Sequence, residues 1–296
     1  MRILLTGGTG FIGEALVAAL LDRGSELIIL SRQARPDAPR VRFVQSLEDI
    51  ASDTQLSAVI NLAGASLAGQ RWTASYKREI VASRIDTTRH VLALLQRLQQ
   101  TPPVLLSASA IGYYGHHGDE LLTETAPVTP GFAQQLCHDW EAVALQAQQF
   151  GARVCLLRLG VVLDRGGGAL VEMARSFNVG VASWLGSGRQ WLSWVHREDV
   201  IRAILMLLAR DDLRGPFNIT GPQPVTGRAF ATALQAHHRT FVQMGVPATA
   251  ARLLLGEMAN ELLLNGQRVI PQALVDADFE FAFARVDAAL AAIYKR

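Results

Sequence analysis

The chain has 296 residues, 50% of them hydrophobic and 18% charged, which excludes a disordered polypeptide and is long enough to bury a sizeable core. Lys and Arg number 28 against 26 Asp and Glu, and with no basic block this slight excess argues against a nucleic-acid partner. No apolar run reaches the ~18 residues of a membrane helix, and the two cysteines, Cys137 and Cys155, suit a reducing compartment and form no metal pattern.

Arg2 to Leu5 reads as a buried strand that runs straight into glycines at positions 7, 10 and 13, and Glu14 to Leu21 reads as an Ala/Leu-rich helix. An apolar strand at the very start leaves no place for a signal peptide, so a cytoplasmic protein without a membrane partner is expected. Strand, glycine turn and helix form a dinucleotide site. The glycines permit the tight turn and a close backbone approach to a pyrophosphate, and the helix N-terminus faces it with free N–H groups and partial positive charge.

Glu26 to Leu30 predicts the second strand, ending at Ser31-Arg32. Sites that hold the ribose 2′-hydroxyl use a carboxylate about 20 residues past the glycines; here Arg32 stands there beside a hydroxyl residue. That pair suits a 2′-phosphate, so NADP(H) is the expected cofactor. Arg40 to Gln45 predicts a brief third strand, Ser46 to Leu56 a poorly amphipathic connection, and Ala58 to Gly64 a fourth strand entering a small-residue turn.

Arg71 to Leu92 is helical in period with only a rough apolar stripe at Ile80, Ile85, Val91 and Leu92. Val104 to Ser107 predicts the fifth strand, followed by Ser109 and by Tyr113-Tyr114-Gly115. His116-His117 lacks a third ligand at suitable spacing, so no metal is expected. Thr123 to Pro130 reads as a loop, Ala133 to Phe150 as a helix, and Ala152 to Leu157 as a sixth strand. Gly166 to Gly168 opens another helix, His196 to Asp199 begins the helix Val200 to Ala209, and Pro216 to Thr220 is one more strand. From about 226 the pattern turns helical and loses its strand rhythm.

Alternating strands and helices predict an α/β fold, a Rossmann-type doubly wound parallel sheet with a small, mostly helical C-terminal lobe. The expected division is an NADP-binding domain over 1–225, with substrate-lobe segments interleaved around 160–195, and a C-terminal lobe over 226–296.

Five stretches together resemble the extended short-chain dehydrogenase/reductases of the nucleoside-diphosphate-sugar epimerase type, in particular the atypical "epimerase family" proteins with a short C-terminal domain of unknown function. They are Thr6 to Gly13, Ser31-Arg32, Asn61 to Gly64 with Arg71-Trp72 and Ser83-Arg84, Arg158 to Leu163 with Gly166 to Gly168, and Trp194 to Asp199; Gly256 to Pro271 matches the C-terminal domain. The resemblance implies that Gly7, Thr9, Gly10, Phe11 and Ile12 line the pyrophosphate, with Ser31 and Arg32 at the adenosine phosphate and Leu62 and Ala63 near the ribose. It places Arg84 toward the nicotinamide end, four residues before Thr88, with Glu79 a turn earlier as a weaker contact and Val162 as a further one.

The family's Tyr-x-x-x-Lys pair is missing. Aligning Glu141 with the usual glutamate puts Ala133 and Cys137 at those two positions, and none of Tyr76, Tyr113, Tyr114 and Tyr294 is followed by Lys four residues on. Either another group supplies the proton or no redox turnover occurs. Tyr113, Tyr114 and Ser109 are the candidate catalytic hydroxyls, against a structural alternative in which the tyrosines simply pack on the lobe. Cys137 has no evident cationic partner and reads as a buried thiol. His196 and Asp199 read equally as substrate-side or structural.

The leading expectation is an NADP(H)-dependent oxidoreductase or epimerase-like enzyme for a small polar substrate, a nucleotide sugar being one candidate. The substrate is expected between Tyr113/Tyr114, Arg158 to Leu163 and Gly186 to His196. The alternative is a non-catalytic NADP(H)-binding sensor or interaction module. A homodimer is left open.

Overall fold

The computed structural model describes residues 1–295. The first half runs β1 (Arg2–Thr6), α1 (Phe11–Asp22), β2 (Glu26–Leu30), β3 (Val41–Val44), β4 (Ala58–Asn61), α2 (Ala74–Arg97), β5 (Val104–Ala110), β6 (Leu121–Leu122), α3 (Phe132–Leu145) and β7 (Arg153–Leu159). The second half runs β8 (Val161–Leu163), α4 (Gly168–Met173), β9 (Val181–Leu185), β10 (Trp191–Leu192), β11 (Trp194–His196), α5 (Arg197–Ala209), β12 (Gly215–Ile219), β13 (Val225–Thr226), α6 (Gly227–Gln235), β14 (Val242–Val246), α7 (Ala248–Leu255), β15 (Arg268–Val269), α8 (Gln272–Asp276) and α9 (Val286–Lys295).

Seven strands form one parallel sheet in the order β12-β7-β5-β4-β1-β2-β3. Because strand side chains alternate between faces, β1 sends Leu4 to one core and Ile3 and Leu5 to the other. The first core is covered by Ile80, Val91 and Leu95 of α2 and Leu136 and Trp140 of α3. Leu16 and Leu20 of α1 and Ile204 and Leu207 of α5 cover the second. Both faces are buried, which is why these strands read as apolar runs.

The order of strands reverses between β1 and β4, and the crevice beyond their carboxyl ends is where such a sheet takes a ligand. A third core, with Leu163, Phe177, Trp194, Phe230, Leu290 and Ile293, builds the lobe beside that edge.

The predicted strands fall close to their observed places, with β5 extending to Ala110. The weakly striped segment is a single helix of 24 residues, α2, started by Thr73, whose hydroxyl accepts from the Tyr76 N–H at 3.1 Å. Its stripe looked rough because two polar residues, Arg84 and Thr88, are also buried. The C-terminal part is mostly helical, yet it also contains β14, paired in parallel with β9, and β15, paired with β6. Those partners lie far away in sequence, so local pattern carried little sign of them.

Candidate cofactor and substrate site

The glycine turn is built for a close backbone approach. Gly7 has φ +71°, and a Cβ there would stand 2.6 Å from the Leu62 carbonyl; a Cβ on Gly13 would stand 2.1 Å from the Gly7 oxygen. Gly10 immediately precedes α1, its N–H donating to the Gly7 carbonyl at 3.0 Å, and no side chain caps that helix. The N–H groups of the first turn therefore have no partner within the helix and form an anion cradle. Thr9, Phe11 and Ile12 are half-buried around it. The Phe11 ring lies against Gly167 and Gly168 and under the Arg197 guanidinium, 4.7 Å away.

The other wall is set by a buried hydrogen-bond chain. Thr6 donates to Asn61 at 2.6 Å, Asn61 donates to Thr88 at 2.9 Å, and the Ala63 N–H donates to Thr6 at 3.2 Å. This fixes the turn that follows β4, where Leu62 and Ala63 are half-buried. Arg84 lies behind that turn, donating to the Ala65 and Ile80 carbonyls at 3.0 and 3.1 Å with its guanidinium 5.4 Å from the Trp140 ring. Burial pushes its pKa down, and no carboxylate pairs with it among the described residues. Ser31 is buried and donates to the Gln33 carbonyl at 2.8 Å, whereas Arg32 is exposed at the end of β2. Glu79 is exposed on α2, on a different face from Arg84, and Val162 is half-buried in β8.

A second polar network lies where β5, α3, β7 and β12 meet. Arg158 forms a buried bidentate pair with Glu141, both bonds 2.9 Å. Ser109 donates to Glu141 at 2.6 Å, Tyr114 donates to Asn218 at 2.6 Å, and Arg158 donates to the Tyr114 hydroxyl at 3.0 Å. Burial disfavours the charged guanidinium, but the bonds and charge of Glu141 outweigh it and hold the Arg158 pKa above its usual value. Burial also pushes the Tyr114 phenol up to about 12.

The three expected hydroxyls therefore part company. Tyr114 and Ser109 are 0% and 2% exposed with their protons committed, so in this conformation they position the site and do not reach a substrate. Tyr113 is half-buried, its ring centroid 3.5 Å from the Arg158 guanidinium, and its hydroxyl has no partner among the described residues. Cys137 is buried, and that burial pushes its thiol up to about 12, which favours the neutral thiol over the thiolate. Ala133, on the first turn of α3, donates its N–H to Glu261 at 3.2 Å.

His196 and Asp199 are both buried at the start of α5. His196 accepts from the Glu198 N–H at 3.1 Å, and Asp199 accepts from the Ala282 and Phe283 N–H groups at 2.7 and 3.0 Å. The described residues hold no group of three His, Cys, Asp or Glu able to bind a metal, and no helix among them is long and apolar enough to cross a membrane.

Residues 3–220 match the model of the NAD dependent epimerase/dehydratase family, and residues 246–293 match a domain of unknown function. The chain belongs to the NAD dependent epimerase/dehydratase family. An epimerase family protein of Mycobacterium bovis is 39% identical over 290 residues, covering 97% of this chain and 96% of its own. One of Staphylococcus saprophyticus is 38% identical over 297 residues, covering 97% of each. Among solved structures, the human epimerase family protein SDR39U1, determined with NADPH, superposes with a TM-score of 0.90 at 29% identity over 100% of both chains. MoeE5, determined with UDP-glucose and NAD, shares the fold at a TM-score of 0.76 and 19% identity, covering 100% of this chain and 98% of its own. Membership of this family supports a nicotinamide cofactor, and the glycine cradle fits one.

Reading the sequence missed Glu124, Asn218 and Glu261 as parts of the site. Each has a hydrogen-bond partner more than 90 positions away, so no short motif could announce it.

Proposed function

We propose that this protein binds NADP(H) in preference to NAD(H) and uses it in hydride transfer to or from a small polar substrate, without a Tyr-x-x-x-Lys pair. The observation that carries the reading is the glycine cradle against the Leu62-Ala63 turn, backed by the buried, carboxylate-free Arg84. In it, Gly7, Thr9, Gly10, Phe11 and Ile12 hold the pyrophosphate, and Ser31 and Arg32 receive the adenosine phosphate. Leu62, Ala63 and Val162 border the ribose and nicotinamide, with Glu79 an outlying contact. A nicotinamide cofactor supplies the hydride chemistry; the protein supplies orientation and charge.

Arg84 provides the positive charge that the missing lysine would bring, from α2 in place of α3. Tyr113 is the hydroxyl able to give or take the substrate proton, its ring fixed by Arg158. Nucleotide sugars belong in the first substrate panel because MoeE5, of the same fold, was determined with one.

Calorimetric titration separates the cofactor claims. NADPH is expected to bind more tightly than NADH, and Arg32→Ala to weaken NADPH by about tenfold or more while leaving NADH unchanged, because it loses a charge-assisted bond. Equal binding of both nucleotides by wild type and variant would overturn the NADP(H) preference. Turnover is read by exchange of label from deuterated cofactor into a panel of carbonyl compounds and nucleotide sugars; Tyr113→Phe is expected to bind NADPH normally and lose that exchange.

One observation favours a second reading. Ser109 and Tyr114 are both committed to internal bonds, as suits a scaffold that senses NADP(H) without turnover. Tight NADPH binding with no exchange on the whole panel would select it.

A further inference from the structure

The parallel strands β8 and β11 end in register, Leu163 beside His196. The residues that follow, Asp164 and Arg197, therefore leave the strands side by side, and they pair: Arg197 Nε and Nη2 lie 2.8 and 2.6 Å from one Asp164 oxygen. The other Asp164 oxygen accepts from the Arg165 N–H at 2.6 Å, which fixes the start of the loop into Gly166, Gly167 and Gly168. From the same guanidinium, Nη1 donates to the Phe11 carbonyl at 3.1 Å, and the guanidinium carbon is 4.7 Å from the centroid of the Phe11 ring. One arginine thus ties the loop after β8 to the first residue of α1.

The glycine triplet meets the same ring. A Cβ on Gly167 would stand 2.5 Å from Phe11 Cδ2, and one on Gly168, which has φ +66°, would stand 2.7 Å from Phe11 Cε1. Without side chains of their own, these residues let the loop lie directly on the ring. Phe11 is also the first helical residue of α1, where the N–H groups left without helical partners form the anion cradle. Its carbonyl and ring are therefore held from the lobe while its N–H belongs to the cradle. The Arg197 and Asp164 side chains are 25% and 13% exposed, so water screens their pairing less than it screens a surface ion pair. The rigid fork of a guanidinium allows bonds to Asp164 and to the Phe11 carbonyl at once.

We propose that Asp164 and Arg197 are positioning residues for the cofactor: together they clasp the Gly166–Gly168 loop onto Phe11, and release of NADP(H) waits for that clasp to open. With the pair formed, the loop, the Phe11 ring and the first turn of α1 move as one body. With the pair broken, the loop is free to leave the ring, and Phe11 loses the hold on its carbonyl. This rests on the NADP(H) reading above and adds what sets the lifetime of the bound cofactor.

The test is the rate at which the full chain releases NADPH, followed by the fluorescence of the bound nucleotide after mixing with excess NADP⁺ at fixed ionic strength. NADH and NAD⁺ take their place should NADH bind more tightly. Asp164→Ala and Arg197→Met are each expected to speed release about tenfold, and the double variant no further, because either change opens the same clasp. Arg197→Lys keeps the charge but cannot hold Asp164 and the Phe11 carbonyl together, so it should also release faster than wild type. Arg89→Met, at an exposed arginine of α2, should match wild type. A guanidinium acting only as a charge near the pyrophosphate gives a different pattern: Asp164→Ala slows release, Arg197→Met speeds it, and Arg197→Lys leaves it unchanged. That pattern, or wild-type rates in both single variants, overturns the clasp and leaves the cofactor reading intact. Failure of wild type to bind either nucleotide refutes the cofactor reading and the clasp with it.

Discussion

At the scale of single residues, the buried Arg158–Glu141 pair decides how the site is held. Both side chains are under 10% exposed, so the pair lives where a lone charge is expensive. Glu141→Gln would leave Arg158 charged and uncompensated and would set an amide NH2 against the Arg158 Nη2 donor, where a carboxylate oxygen now accepts. The expected loss is about 3–5 kcal/mol of folding stability, measured by urea unfolding; a change under about 1 kcal/mol, the size of an exposed pair, would show that water reaches the network. The resemblance singled out Glu141, but its partners could not be read. Arg158, Ser109 and Tyr114 come from three separate elements, and only the packing of β5 and β7 beneath α3 brings them together.

At the scale of elements, the β1–turn–α1 unit is the part whose form follows most directly from local chemistry. Its glycines differ in what they can tolerate. A Cβ at Gly13 meets the Gly7 oxygen at 2.1 Å, inside the contact between helix and turn, whereas one at Gly10 meets only that same atom at 3.3 Å. Gly13→Ala is expected to cost about 1–3 kcal/mol or more through overpacking and to abolish NADPH binding. Gly10→Ala should fold nearly as wild type; thermal unfolding of the two variants provides the check. The strand β14 is the contrary case. Its residues Val242, Gln243 and Met244 are exposed, so no buried alternation marked it, and its existence depends on β9 lying alongside.

At the scale of the whole molecule, a few buried or half-buried polar side chains join the C-terminal segment to the sheet. Glu124 is the central one: its Oε1 accepts from the Asn218 N–H at 2.9 Å and from the Ala273 N–H at 3.1 Å, linking β12 to α8. Burial raises its pKa, with those backbone donors pulling the other way. A carboxyl whose folded pKa is raised contributes stability below its unfolded value of 4.5 and loses it as pH climbs through the folded value. Glu124→Gln keeps an oxygen for both N–H groups and has no proton to lose. Its stability relative to wild type is therefore expected to improve from pH 4 toward neutrality, seen as a urea-midpoint difference between the two proteins that shifts in favour of Gln across that range. A difference independent of pH would show that Glu124 is solvated as in the unfolded chain.

The amino-acid sequence by itself determined the parts that depend on neighbours along the chain. Strand and helix periods set the parallel sheet, the spacing of Gly7, Gly10 and Gly13 set the phosphate turn, and Ser31-Arg32 set the expectation for the adenosine end. These follow from backbone sterics and side-chain alternation, which act over a few residues. Tertiary structure alone decided the rest: that Tyr114 and Ser109 are sealed inside, and that the Tyr113 hydroxyl is left without a partner among the described residues. Burial and hydrogen-bond satisfaction are properties of the folded surroundings, and here they are set by residues drawn from opposite ends of the chain.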